Sequence, residues 1–277
     1  MTWRIEDNPA RAVGIRTLSD TIDALRGRAC TTERDFKASW LDRLSHCSDI
    51  VASGWYSPPP DGITVLTATP DDPARLAYSS LRSEEYWPSD RLIDWQNGLL
   101  LAYCSAIDKV SGLAGDIAIT LYFGSESRIK DYFRRAHFVV GRLLDSISNK
   151  DTSLNIIDRA DAAFADKGLR NCVTSITDKA SYNVGHTIPQ LNPELLGSTL
   201  SEEEREQCRT QRRFLNRVTD WPIASGGQFS IEPQIRSATD EDLPQLTFHY
   251  LVRAERSEIR VCRDVDSLLV QYGLAEA

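Results

Sequence analysis

The sequence predicts an α+β fold with internal pseudo-symmetry. Three observations carry this. Apolar residues recur at helical spacing in two pairs of segments, one pair near the start of the chain and one pair in its middle. Short runs rich in β-branched and aromatic residues follow each pair. The order, a helix pair and then antiparallel strands, occurs twice, and no linker of distinct composition separates the halves. The reading is therefore a single domain over residues 1–277.

The elements follow in order. Asn8-Pro9 caps and starts a first helix, whose stripe is Ile15, Leu18, Ile22 and Leu25, and Gly27 ends it. Thr32 caps a second helix carrying Phe36, Trp40 and Leu44. Residues 54–62 form a loop, because the three consecutive prolines Pro58, Pro59 and Pro60 donate no backbone hydrogen bond. Strands are expected near residues 63–66, 99–106 and 117–123. The stretch 70–91, rich in Asp, Pro, Ser and Glu, reads as a long excursion of the kind used for lids or oligomer contacts. A long helix is expected over 127–147, with Ile129, Phe133, Ala136, Val140 and Leu144 on one face. Ser153 opens the next, with Ile157, Ala160 and Phe164 inward and Gly168 as its stop. Further strands are expected at 172–176, 228–235, 246–252 and 259–262. Ser201-Glu202-Glu203-Glu204 is a capping box that opens a charged helix, read as a solvated face. A short helix over 264–272 closes the chain.

Composition narrows the partners. The chain of 277 residues is 41% hydrophobic and 26% charged, enough apolar content for a sizeable core. Its net charge of −8 argues against nucleic acid or an anionic membrane as the main partner. No apolar run approaches the roughly 18 residues of a membrane helix, and residues 1–7 show no signal core, so a cytoplasmic setting is expected. The six cysteines are scattered without Cys-x-x-Cys spacing, which fits reduced thiols. Cys104 lies on a strand with nothing nearby in sequence to activate it. There is no phosphate-binding Gly-rich loop and no Gly-x-Ser-x-Gly elbow.

Five segments carry the chemistry. They are Gly115-Asp116-Ile117-Ala118-Ile119-Thr120-Leu121, Lys130-Asp131-Tyr132-Phe133, Gly185-His186-Thr187-Ile188, Phe229-Ser230-Ile231-Glu232-Pro233, and Thr247-Phe248-His249-Tyr250. In this order they resemble the pita-bread superfamily of methionine aminopeptidases, prolidases and creatinase, over residues 11–273 or so. The resemblance implies a curved antiparallel sheet with outer helices and a pseudo-two-fold axis. It also implies a homodimer. The superfamily's metal ligands are two Asp, a His and two Glu. Here the first Asp position falls on Thr120 or Leu121. The second is matched by Asp131, the His by His186 and the first Glu by Glu232. The last Glu position falls on Phe248, with His249 beside it.

Losing bridging carboxylates removes the means of holding two cations about 3.5–4 Å apart. The expectation is therefore a site with no metal and no cofactor. Creatinase, within the superfamily, works without metal. The resemblance then implies His186 or His249 as general acid and base, oriented by Glu232 or Asp131. Tyr122 would donate a hydrogen bond to a small-molecule substrate. Thr120 and Phe248 fall in the pocket segments, and Trp55 and Tyr56 offer flat apolar contacts. Arg134 or Arg135 would take a substrate carboxylate, or both are simply exposed. Ser175-Ile176-Thr177-Asp178 is a turn or a polar pocket wall. His46 and His137 read as structural. Three functions compete: a metal-independent creatinase-like enzyme acting on a small amide, peptide-like or amino-acid-derived compound by hydrolysis, lyase or cyclisation chemistry; a catalytically inactive binding module; and a mononuclear metallohydrolase.

Overall fold

The computed structural model describes residues 8–28, 30–56, 59–173, 177–178, 180, 182–225, 227–255 and 258–276. The first half runs α1 (Pro9–Arg26), α2 (Glu33–Ser45), β1 (Ile50–Val51), β2 (Ile63–Ala68), β3 (Leu99–Cys104), β4 (Ile107–Asp108) and β5 (Ile117–Tyr122). The second runs α3 (Ser127–Ser146), α4 (Ser153–Asp166), β6 (Leu169–Asn171), β7 (Asn183–His186), α5 (Glu202–Thr210), β8 (Phe214–Asn216), β9 (Gln228–Ile231), β10 (Gln234–Ser237), β11 (Leu246–Thr247), β12 (Tyr250–Ala254), β13 (Ile259–Cys262) and α6 (Asp266–Gln271).

The caps read from the sequence form. Asn8 accepts from the Arg11 amide, and Thr32 and Ser201 build capping boxes with Asp35 and Glu204. The predicted stripe of α3 is buried throughout. Gly168 takes φ +63°, the left-handed value that favours glycine after a helix.

Strands β2, β3 and β5 form one antiparallel sheet, and β6, β10 and β11 form another. A bridge between Ile119 and Phe248 joins them edge to edge. The resulting order is β2-β3-β5-β11-β10-β6, with each three-strand half preceded in the chain by a helix pair. The pseudo-two-fold axis lies between β5 and β11. Helices α1 and α3 cover the outer face: Gly14 of α1 sits directly on Ile117, and Phe133 of α3 meets Phe248. This is a curved antiparallel sheet with outer helices.

Two long strands expected from the sequence are each broken in two. Residues 228–237 split at Glu232-Pro233, and 246–254 split at Phe248-His249. The register is nevertheless continuous. Ile231 pairs with Tyr250 on one side of the break and Gln234 with Thr247 on the other. Two residues per strand are skipped, which leaves Glu232 opposite His249 and Pro233 opposite Phe248. The cause is local. Pro233 has no amide to donate. The Glu232 amide turns to the Val184 carbonyl (2.8 Å) and the His249 amide to the Ala118 carbonyl (3.0 Å). The hairpin bends there and changes partners, with β9 and β12 joining β13, and β10 and β11 joining the central sheet.

The 70–91 excursion folds as three short 3-10 turns. It is anchored rather than loose. Arg75 forks onto the buried Glu33 at the start of α2, and Glu33 also accepts from the Ser89 hydroxyl (2.9 Å) and the Thr67 amide (2.6 Å). The strand expected at 172–176 forms as β6, three residues earlier, and residues 174–176 lie outside the described residues.

Candidate active site

The site assembles at the bend. Glu232 and His249 face each other across the broken hairpin, with His249 Nε2 2.9 Å from Glu232 Oε2. His186 arrives from the end of β7. Its approach depends on Gly185, whose φ is +155°, and a Cβ there would lie 1.9 Å from the Ser230 carbonyl oxygen. Glycine lets β7 close on β9, and the Ser230 hydroxyl then accepts from the His186 amide (3.1 Å). His186 Nε2 lies 3.5 Å from Glu232 Oε1 and 3.6 Å from Asp116 Oδ2. Asp116 stands just ahead of β5. His186, His249 and Asp116 are buried, and the Glu232 side chain is 12% exposed.

The protonation pattern follows from geometry. His186 Nδ1 is 2.9 Å from the Thr187 carbonyl oxygen, which only accepts. Nδ1 therefore carries a proton, and Nε2 is the ring nitrogen turned to the two carboxylates. Burial pushes His186 below its ordinary range against the pull of Glu232 and Asp116, and Arg212 adds to the push. Burial alone would raise Glu232. The two imidazoles and Arg212 outweigh it and draw the carboxyl down to about 2. Among the described residues, Asp116 Oδ1 is buried without a hydrogen-bond partner. Two carboxylates and a ring nitrogen thus converge on one point, an arrangement that calls for a proton, a water or a cation between them. Asp116, Glu232 and His249 each offer a ligand atom, all within 4.8 Å of one another, and are the only such trio of His, Cys, Asp or Glu among the described residues.

An aromatic wall borders the cluster. Trp55 and Phe214 present edges to the His186 ring at 6.0 and 5.8 Å. The buried guanidinium of Arg212 lies 4.9 Å from the Trp55 ring centre, 5.1 Å from that of Tyr56 and 5.0 Å from that of Phe214. It donates to the Thr177 hydroxyl (2.8 Å), and among the described residues it makes no ion pair. Arg212 and Phe214 also line a groove of about 700 Å³.

Of the residues expected from the sequence, the fold brings together His186, Glu232, His249, Trp55 and Tyr56. It leaves out four others. Asp131 sits on the outer face of α3, its side chain 69% exposed and paired with Arg134. Phe248 faces the helix layer against Phe133 and His137. Thr120 accepts the Thr247 amide at the joint between the two half-sheets (3.0 Å). Tyr122 lies six residues along β5 from Asp116, roughly 20 Å in an extended strand, and donates to Asn97 (2.7 Å). His137 bonds Asp266 (3.0 Å) and His46 the Asp42 carbonyl (2.7 Å), both in supporting positions.

Two site residues escaped the sequence reading. Asp116 stands in the Gly115–Leu121 segment, but the resemblance puts the ligand position further on, at Thr120 or Leu121. The available signal is an acid directly preceding a mostly apolar run, where a carboxylate needs a partner. Arg212 follows the charged helix that Ser201 opens, and helical spacing gives no sign that it turns inward just after α5.

No protein-family model matches the sequence, and no curated protein matches it. Among solved structures, the chain is similar to a prolidase from Thermococcus sibiricus (TM-score 0.60, 13% identity, covering 97% of this chain and 57% of that one). It is also similar to an X-Pro aminopeptidase from Thermotoga maritima (0.59, 14%, 91% and 58%) and a methionine aminopeptidase from the same organism (0.57, 12%, 93% and 95%). This chain thus spans somewhat more than half the length of the first two and nearly all of the third. At such identities the likeness is one of architecture, and the chain has the pita-bread fold that these peptidases share.

Proposed function

We propose that the chain is a metal-independent enzyme that moves protons on a small amide, peptide-like or amino-acid-derived compound. The observation that supports this most directly is the convergence of His186 Nε2 with Glu232 and Asp116 beside a second imidazole. A neutral, buried imidazole with its Nδ1 proton fixed is a competent base. Glu232 and Asp116 stabilise the imidazolium that forms when Nε2 takes a proton, and His249 is placed to return one to a leaving group. Arg212, stacked and lacking a described ion pair, offers a fixed cation to an anionic part of the substrate. Trp55 and Tyr56 form the apolar wall. The same reading takes the chain as one domain, a homodimer and cytoplasmic; light scattering after size-exclusion chromatography tests the dimer.

The pita-bread peptidases raise the question of metal. A two-cation centre does not fit these residues. The positions expected to supply the first Asp and last Glu hold Thr120 or Leu121 and Phe248, and Asp131 points to solvent. One cation fits better: Asp116, Glu232 and His249 would hold it, and the partnerless Asp116 Oδ1 favours this second reading. A bound divalent ion would polarise a carbonyl or activate water. No particular observation favours the third possibility, an inactive binding module.

The decisive experiment is turnover of a panel of X-Pro dipeptides, small amides and guanidino acids, followed by mass spectrometry. It is run on chelated, desalted protein and again with zinc or manganese. Turnover that survives chelation and vanishes in His186→Ala and His249→Ala supports the first reading. Turnover seen only with added metal replaces it with the second. No turnover, with both variants melting well below the parent, would make the cluster structural.

A further inference from the structure

The bend that sets Glu232 against His249 turns the Glu232 amide to Val184 and away from the His249 carbonyl, and one residue bonds that carbonyl instead. Arg11, in the first turn of α1, is 1% exposed. Its Nη1 donates to the Asp116 carbonyl (2.6 Å) and its Nη2 to the His249 carbonyl (2.7 Å). Its Nε and Nη2 grip the carboxylate of Asp264 at 2.8 Å. The Asp264 side chain is 2% exposed. The helix end is seated by two further features. Asn8 donates to the Ala114 carbonyl (2.9 Å), and Gly115 lies so close to α1 that a Cβ would meet the Arg11 amide at 2.3 Å.

We propose that Arg11, held by Asp264, is a positioning residue that sets the distance between the acidic and imidazole sides of the site. One rigid planar fork spans the backbone of Asp116 and of His249, two residues whose side chains meet His186 and Glu232. The guanidinium is pre-organised for this, since its donors diverge in a plane and cannot follow one carbonyl without moving the other. A lysine keeps the charge but offers a single nitrogen, which reaches one carbonyl or Asp264 and leaves the rest unbonded. The cost of that is not only stability. A shift of Asp116 relative to His249 changes what His186 Nε2 faces, although His186 itself does not touch Arg11. This holds whichever chemistry the cluster performs.

The test compares Arg11→Lys with Arg75→Lys, which breaks a buried ion pair of similar depth on the far anchor of the excursion. The readout is the imidazole ring nitrogen signals of the four histidines by NMR at one pH. In Arg11→Lys the ring signals of His186 and His249 are expected to move while those of His46 stay. In Arg75→Lys all of them are expected to stay, even as the melting temperature falls. A folded Arg11→Lys protein with unmoved His186 ring signals overturns the proposal. If Arg11→Lys does not fold, Asp264→Asn is read instead. It keeps Arg11 and loosens its anchor, so shifted His186 and His249 signals support positioning and unchanged ones overturn it.

Discussion

The two halves of the central sheet use strands in opposite ways. In the first half, β2, β3 and β5 are six residues each, buried along their whole length, and paired without interruption from Ile63↔Cys104 to Ala68↔Leu99 and from Leu99↔Tyr122 to Cys104↔Ile117. In the second half, the hairpin of β9–β10 and β11–β12 keeps its register but loses its ladder for two residues on each strand. The unbroken half is core. The broken half carries Glu232 and His249 at its gap. A sheet satisfies its own polar groups, so a site is built where that self-sufficiency fails and neighbouring elements supply the bonds.

The largest effect should come from the unbroken half. Leu101→Ala, at the centre of β3 and fully buried, should cost about 2–5 kcal/mol through lost transfer and a cavity, read by urea unfolding. A loss under about 1 kcal/mol would mean that this half is not the tightly packed one. Next comes Gly185→Ala. The new methyl would collide with the Ser230 carbonyl, so β7 must retreat from β9. A loss of about 1–3 kcal/mol should accompany displacement of His186 from Glu232, visible in its ring NMR signals. Unperturbed signals would show that β7 does not set the site.

Acid unfolding sharpens the comparison further. His186 and Glu232 both titrate lower in the folded chain than in the unfolded one. The folded protein therefore binds fewer protons, and stability rises with pH. The His186 contribution is complete above its ordinary value of 6.5 and is lost as pH falls below it. The Glu232 contribution is complete above 4.5 and is lost as pH falls through about 2. His186→Gln should flatten the stability profile just below 6.5 and shrink the Glu232 step, because it removes one of the two imidazoles that draw that carboxyl down. An unchanged slope there would place His186 in water. The smallest effect belongs to Asp131→Asn, within about 0.5 kcal/mol, with the His186 and His249 signals unmoved. A larger change would return Asp131 to the site.

The contrast also explains what could be read in advance. An uninterrupted strand declares itself by composition, so β2, β3 and β5 were placed to within two residues. The broken strands read as continuous because Glu232-Pro233 and Phe248-His249 interrupt pairing, not hydrophobic pattern. Phe248 was assigned to the pocket because it stands where a ligand was expected. Its side chain goes to the helix layer, since neighbours in a strand point to opposite faces. That alternation also turns His249 inward, and it could have been applied from sequence alone. Asp131 matched by motif, but the loop before α3 leaves it on the solvent side of the helix.

The sequence by itself determined the helix pairs, the caps of α1, α2 and α5, the strands of the first half and three members of the cluster: His186, Glu232 and His249. Those are local facts, written in periodicity, capping chemistry and short motifs. Only the tertiary structure decided that Asp116, not Asp131, completes the cluster, that Arg212 turns inward against Trp55, Tyr56 and Phe214, and that Arg11 ties Asp116 to His249. These depend on strand register, on a glycine contact between β7 and β9, and on hydrogen bonds between residues more than a hundred positions apart. No local pattern encodes such separations, because they arise only when the backbone's unpaired groups find partners in the folded chain.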